Sequence, residues 1–563
     1  MRGAGRTTKL AGLAVAMAAA AALVPGCGDG GGGGGAPRDT STALACDCGT
    51  IVVAAVGEPP SVLPPLAVET VGRDVGDLVF ERLADLAPGG VPIDTAAYRP
   101  RLAARWERVD SRAWRFRLRP GARWHDGRPV TAADVAFSFE AYADTTIAAL
   151  AQPYVAGRMT ATAEDSATVL VRFAESYPEQ LYDATYHVRV LPSHVWSAVP
   201  RGRWAADTAL ARLVGSGPYR VREWRRGESL LLERTAADLK SAPRRVLWRF
   251  GGDPDAALNL LLSHEADVLE TLGAPDRVAR VSGDSTFRLE RYPAAVYGFL
   301  AHGVADAQGR AHPVLGDRRV RRALAMAVDR PTLAQAVFGA GTLAPPGPMS
   351  RLLWIWSDSI RVLPWDTVAA AAALDSAGWL RPDAGGVRLK GGRPLAFEIL
   401  VPSTSPPRRN LAMALQETWR RVGVDARVTA VDFAVFQQRL GQGRFDAYIG
   451  AYLDEPSPRG LAEQWTRAGI GQLNHGRWVH PGFDSLLAAA AAERDPARAK
   501  ARYVEAMDTL NADAPAIFLY TPVQTAAVHR RIGNVAIDPY AWIGRLPEWT
   551  IDPRQLVARD TLR

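Results

Sequence analysis

The spacing of apolar and polar positions changes several times along the chain, and each change marks an element. Ile51-Val52-Val53-Ala54-Ala55-Val56 is an apolar, β-rich run closed by Gly57-Glu58-Pro59-Pro60, which predicts an opening strand. From Val71 to Leu86, Val75, Leu78, Val79 and Leu83 fall at helical spacing. Trp114-Arg115-Phe116-Arg117-Leu118-Arg119 alternates strictly, as a half-exposed strand does, and Pro120-Gly121 turns the chain. Trp124 to Arg128 forms a His-Asp-Gly-Arg turn, with Gly127 supplying the tight backbone. Thr131, followed three residues later by Asp134, predicts the N-cap of a helix over Ala132 to Tyr142, with Val135, Phe139 and Tyr142 along one side. Asp126 and Thr131 therefore have structural work, and His125 has no ligand or nucleophile near it in sequence. Strands alternating with helices from Thr50 onward predict an α/β protein.

The N-terminal pattern is different. Arg2, Arg6 and Lys9 precede an Ala-rich apolar run from Leu10 to Val24, too short for a confident membrane span. Val24-Pro25-Gly26-Cys27 resembles a bacterial lipobox, with Pro25 where a small residue is usual. Residues 1–27 then read as a lipoprotein signal with lipidation at Cys27, and residues 28–49 as a Gly-rich tether. A plain secretory signal cleaved nearby is the alternative. Either reading puts the body outside the cytoplasm, and no later run of eighteen apolar residues suggests a second membrane contact.

Composition narrows the chemistry. At 563 residues and 48% hydrophobic, the chain has ample core and more than one lobe. Its net charge of +8 rests on 67 basic residues, of which only Lys9, Lys240, Lys390 and Lys500 are lysine. The arginines are scattered among 59 acids and form no basic stripe with aromatics, which argues against nucleic acid. The three cysteines are Cys27, Cys46 and Cys48, so the body has neither a disulfide framework nor a thiol nucleophile. Cys46 and Cys48 read as linker thiols without a role. Nine histidines form no ligand cluster, so no metal and no cofactor is expected. Val214-Gly215-Ser216-Gly217 misses the nucleophile-elbow spacing, and His264-Glu265-Ala266-Asp267-Val268 lacks the second histidine of a zincin. No phosphate-binding loop is present. Paired carboxylates stay open, which leaves a secreted hydrolase as the competing class.

A longer string carries a resemblance. Leu102-Ala103-Ala104-Arg105-Trp106, Asp110, Trp114, Phe116, Leu118-Arg119, Gly121, Trp124, Asp126-Gly127, Pro129, Thr131-Ala132, Asp134-Val135 and Phe137-Ser138 follow one another at the spacing of a family signature. Gly215-Ser216-Gly217-Pro218-Tyr219 with Glu223-Trp224, Val320 to Arg330, Ala373 to Trp379 and Phe445-Asp446 continue it. The chain resembles the extracellular solute-binding proteins of ABC importers, family 5, which bind oligopeptides, dipeptides and nickel. The resemblance implies a two-lobed periplasmic-binding-protein-like fold (type II) with a hinge, a central cleft and an extra subdomain in lobe one. It places lobe one at 50–292, with the subdomain at about 98–200, lobe two at 293–523, and a return to lobe one at 524–563. The implied function is capture of a solute, most simply a peptide, for delivery to membrane permease subunits. A metal chelate, sugar or other small molecule is the alternative. A monomer, lipid-anchored at the periplasmic or cell-surface side of a bacterial membrane, follows.

The resemblance also nominates a site. Gly450-Ala451-Tyr452-Leu453-Asp454-Glu455-Pro456-Ser457-Pro458 is similar to the family loop whose Asp pairs with a peptide α-amino group, so Asp454 is the implied anchor. Tyr452 stands where Trp is common, and the loop is one residue shorter than in the family. Further candidates for ligand contact are Tyr452, Glu455, Tyr297, His302, Trp354, Trp356 and Trp465, with Arg459 able to read an opposite charge.

Overall fold

The computed structural model describes residues 49–147, 149–236, 238–383 and 385–560, so Cys27, Cys46, Cys48 and the expected signal and tether lie outside the described residues. Two sheets organise the body. The first has seven strands in the order Phe287–Pro293, Val523–His529, Val268–Leu269, Thr50–Ala55, Arg245–Phe250, Ser229–Arg234, Tyr219–Arg225. Thr50–Ala55 runs parallel to both of its neighbours and all six of its residues are buried, as expected of a strand covered on both faces. The second sheet has five strands in the order Asp425–Val431, Ala396–Pro402, Ala447–Leu453, Val296–His302, Ala516–Tyr520. A third, antiparallel sheet of Ala103–Asp110, Ala113–Leu118, Thr168–Phe173 and Met159–Ala163 packs on the core of the first.

Two strand pairs join the lobes. Phe287–Pro293 pairs with Val523–His529 in the first sheet, and Val296–His302 pairs with Ala516–Tyr520 in the second. The chain crosses through Ala294 and Ala295 and returns through Thr521 and Pro522, and the Ala294 amide donates to the Pro522 carbonyl at 3.0 Å. Two short crossings side by side are the geometry of a hinge. Just beyond them, a Cβ on Gly298 would lie 2.0 Å from the Tyr520 ring. That ring is buried and stacked on Phe338 at 3.8 Å. Gly298→Ala is expected to destabilise the protein by about 1–3 kcal/mol in denaturant unfolding, as overpacking does.

Local expectations hold where neighbours agree with them. The strand over Trp114–Arg119 is Ala113–Leu118, and the helix after Thr131 is Ala132–Ala143. Its box is built as the sequence suggests: the Thr131 amide donates to Asp134 Oδ2 at 2.8 Å, while Asp134 Oδ1 accepts from the Ser193 amide at 2.9 Å. His125 bonds the Gly215 amide at 3.2 Å and the Gly217 carbonyl at 2.9 Å, pinning the turn to the Gly-Ser-Gly segment. A Cβ on Gly215 would sit 1.9 Å from the Val79 carbonyl oxygen, which explains the glycine without catalysis. The helical period from Val71 to Leu86 is cut short. The helix is Thr70–Val79, because Ala84–Leu86 pairs instead with Tyr98–Pro100, a long-range ladder that outweighs local spacing. Among the described residues no helix is long and apolar enough to cross a membrane.

The termini of the body are locked by charge. Arg531 is fully buried and its guanidinium reaches Asp267 at 2.8 Å, Asp560 at 2.8 Å and the Thr50 carbonyl at 2.7 Å. Asp560 in turn accepts from the Thr50 amide at 2.7 Å, and Asp267 from the Val52 amide at 2.8 Å. One side chain thus ties the opening strand, the strand Val268–Leu269 and the C-terminal segment.

Candidate functional site

A cavity of about 800 Å³ lies between the lobes. One wall comes from the helix Thr70–Val79, Glu270 and the segment Asp538–Trp542; the other comes from Leu352, Trp354, Leu453, Glu455 and Pro456; the crossing residues Ala294–Val296 form its back. Leu150 and Leu453 are exposed apolar side chains that face it from opposite lobes.

Asp454 follows the strand Ala447–Leu453 and does not itself line this space, although its neighbours Leu453 and Glu455 do. Its amide donates to the Ala295 carbonyl at 2.8 Å, so the residue is fixed to the crossing itself. Its Oδ2 accepts from the Ser350 amide, and Ser350 is fully buried. No cation pairs with it among the described residues. Burial therefore pushes its carboxyl up to about 6, against the lowering effect of the Ser350 bond. Glu455, next in the loop, and Trp354 both line the cavity.

The other nominated residues lie elsewhere. Tyr297 is fully buried, donates to Gln464 Oε1 at 2.5 Å and accepts from Trp465 Nε1 at 3.2 Å. Tyr452 packs its ring 5.1 Å from Phe299 and donates to the Leu473 carbonyl at 2.8 Å. Tyr297, Tyr452 and Trp465 are thus an aromatic floor beneath the Asp454 loop and do not line the cavity. Strand alternation turns Tyr297 and Tyr452, and the helix Gly460–Trp465 turns Trp465, toward the core of lobe two. Trp356 hydrogen-bonds Asp358 at 3.3 Å and also lies off the cavity. His302 is fully buried at the far end of its strand. Burial first, then Arg321 and His312, hold its imidazole down to about 3, so it is a neutral core residue.

The cavity also contains acids that the sequence pattern does not single out. Asp74 is 6% exposed and accepts from Trp542 Nε1 at 2.7 Å. Burial, reinforced by Glu270, raises it well above the carboxylate range. Burial pushes Glu270 up to about 7 against the pull of Arg73, and raises Asp538 too. Asp74, Glu270, Asp538 and Glu455 form no ion pair among the described residues. Several cavity arginines are already committed: Arg189 and Arg82 to Asp77, at 2.6 and 3.2 Å, Arg101 to Asp85 at 2.5 Å, and Arg545 to Glu548 at 2.5 Å. The Tyr540 hydroxyl is buried without a hydrogen-bond partner among the described residues. Arg73 lines the same cavity and offsets part of this charge, and acids without an ion-pair partner around one cavity favour a ligand with ammonium or guanidinium groups.

The chain matches known proteins over most of its length. The family model described as "Bacterial extracellular solute-binding proteins, family 5 Middle" matches residues 97–471. Protein XP55 of Streptomyces lividans is 28% identical over 475 residues, which cover 84% of this chain and 83% of that protein. The dipeptide-binding protein of Escherichia coli (strain K12) is 22% identical over 517 residues, covering 87% and 92%. The solved structure of the oligopeptide-binding protein AppA from Bacillus subtilis, in complex with a nonapeptide, superposes with a TM-score of 0.69 at 19% identity, covering 89% of this chain and 99% of that one; the likeness is one of fold.

Proposed function

This chain belongs to the bacterial extracellular solute-binding proteins, family 5, and we propose that it captures peptides in the interlobe cavity and hands them, chemically unchanged, to an ABC permease. The observation that carries the peptide reading is the Asp454 loop: Glu455 lines the cavity, and Asp454 beside it is a buried carboxylate fixed by two backbone contacts, with no cation paired to it among the described residues. A peptide α-ammonium supplies that cation, and the pair gains because both charges leave water together. The dipeptide-binding and oligopeptide-binding names of its relatives support the same reading. Lobe one is taken as residues 50–292 with 524–563, and lobe two as 293–523. The protein acts as a monomer, held at the membrane by a lipid on Cys27, with residues 28–49 as tether.

The ionisation of Asp454 sets a pH window. A carboxyl at about 6 in the free protein must lose its proton to bind an ammonium. Affinity for trialanine is therefore expected to fall as pH drops below about 6, approaching tenfold per unit. It is expected to fall again above about 8, where the peptide amine deprotonates. Calorimetric titration with trialanine and with N-acetyl-trialanine tests the reading. The acetylated peptide lacks the ammonium, so it is expected to bind weakly and without the acidic limb, whatever Glu270 does. Equal affinity for both peptides would remove Asp454 as amine anchor.

A further inference from the structure

The loop that carries Asp454 is also tied to the opposite lobe. Arg459 sends Nε to Glu179 Oε2 at 2.6 Å and Nη1 to Asp183 Oδ2 at 3.0 Å, and its Nη2 meets Asp183 Oδ1. Ser457 Oγ donates to the same Glu179 oxygen at 2.5 Å. Glu179 and Asp183 are 3% and 1% exposed, at the start of the helix Gln180–Tyr186, whose Leu181 and Tyr182 belong to the core of lobe one. Ser457 and Arg459 precede the helix Gly460–Trp465, whose Leu461 and Trp465 belong to the core of lobe two. The acids are held ready from their own side: Tyr177 donates to Asp183 Oδ2 at 2.6 Å, and His187 Nε2 lies 3.4 Å from Oδ1 with its ring stacked on Tyr154. Between Asp454 and Arg459 stand Pro456 and Pro458, both buried, which stiffen the segment.

We propose that Arg459 is a positioning residue for lobe closure: by clasping Glu179 and Asp183 it holds the Asp454 loop over the cavity in the ligand-free protein. The loop is then pinned at one end by Ala295 and Ser350 and at the other by lobe one. Separation of the lobes breaks both arms of the clasp and exposes two buried carboxylates, so the clasp favours the closed arrangement before any solute arrives. Arg494, which donates to Ser176 at 3.0 Å, adds an exposed and weaker contact across the same gap. The inference rests on the solute-binding reading only in taking lobe separation as the working motion, and its test needs no ligand.

Removing Arg459 alone would strand two buried acids, so the variant is the neutral triple Arg459→Met, Glu179→Gln, Asp183→Asn. Small-angle scattering of the ligand-free full chain is expected to give a larger radius of gyration for the triple variant than for the parent. Amide exchange over residues 449–461 is expected to quicken about tenfold or more, in line with couplings of close interfacial charge pairs, while the strand Thr50–Ala55 stays protected. Equal radii and equal exchange would overturn the proposal, as would a parent protein already as open as the variant. Should the triple variant lose protection in the strand Thr50–Ala55 as well, Arg459→Lys decides. It keeps the charge and loses the fork, and it must open the protein without disturbing that strand.

Discussion

Asp454→Asn is expected to weaken trialanine binding by about 2–4 kcal/mol, roughly 30- to 700-fold, the range for losing one charge of a buried, hydrogen-bonded pair. The effect on the free protein has the opposite sign. A carboxyl raised from 3.8 to about 6 by burial is less stable charged in the folded state. Ligand-free stability therefore falls as pH rises through that window, and Asn, which carries no charge, is expected to unfold at a slightly higher temperature at pH 7. Asn keeps an oxygen for the Ser350 amide, so the loop stays in place. Titration calorimetry and thermal unfolding on the same samples check both signs. A variant that binds trialanine as the parent does would show that the ammonium sits elsewhere, with Glu455, Asp74 and Glu270 next in order.

The second large effect is on stability. Arg531→Met is expected to cost about 3–5 kcal/mol, because it leaves Asp267 and Asp560 buried with too little compensation. Arg559 remains 2.7 Å from Asp267, but Asp560 loses its ion pair. The pH dependence carries a signature. Burial alone would raise Asp267, and the Arg531 bonds and charge with Arg559 outweigh it, holding the carboxyl below its ordinary 3.8. A depressed carboxyl contributes its full stability above about 3.8 and loses it as pH falls through the folded value. Parent and variant unfolding energies should therefore converge in acid and separate above that point. Urea unfolding at pH 3 and pH 7 measures it. Equal loss at both would mean that Arg531 acts by packing alone.

Much of the frame was legible before the structure because local signals agreed with long-range pairing. The apolar run at Ile51, the alternation at Trp114 and the Thr131–Asp134 box each gave one element, near its observed bounds. The run from Val71 to Leu86 misled, because a ladder to Tyr98–Pro100 depends on residues that periodicity over one window does not see. Of the residues named from the family loop and the aromatic-rich segment, Glu455 and Trp354 line the cavity, and Asp454 lies beside Glu455 without lining it. Tyr297, Tyr452 and Trp465 carried the same aromatic signal, yet strand alternation turned the two tyrosines, and the helix Gly460–Trp465 turned the tryptophan, toward the core. Asp74, Glu270 and Asp538 were not legible. Each is an ordinary acid in its own segment, and becomes unusual only when the helix Thr70–Val79, the strand Val268–Leu269 and the C-terminal return meet around one cavity. Arg459 belongs to the same class: its partners Glu179 and Asp183 are far away in sequence and in the other lobe.

Native mass spectrometry of the full chain, as isolated and without dialysis, tests peptide capture most directly. Lobe closure slows release, so captured solute should survive purification. The expected result is a ladder of added masses whose ions fragment at amide bonds, exchanged for trialanine when that peptide is added. A single bound mass with no amide fragments, undisturbed by trialanine, would contradict peptide capture and point to another solute in the same cavity.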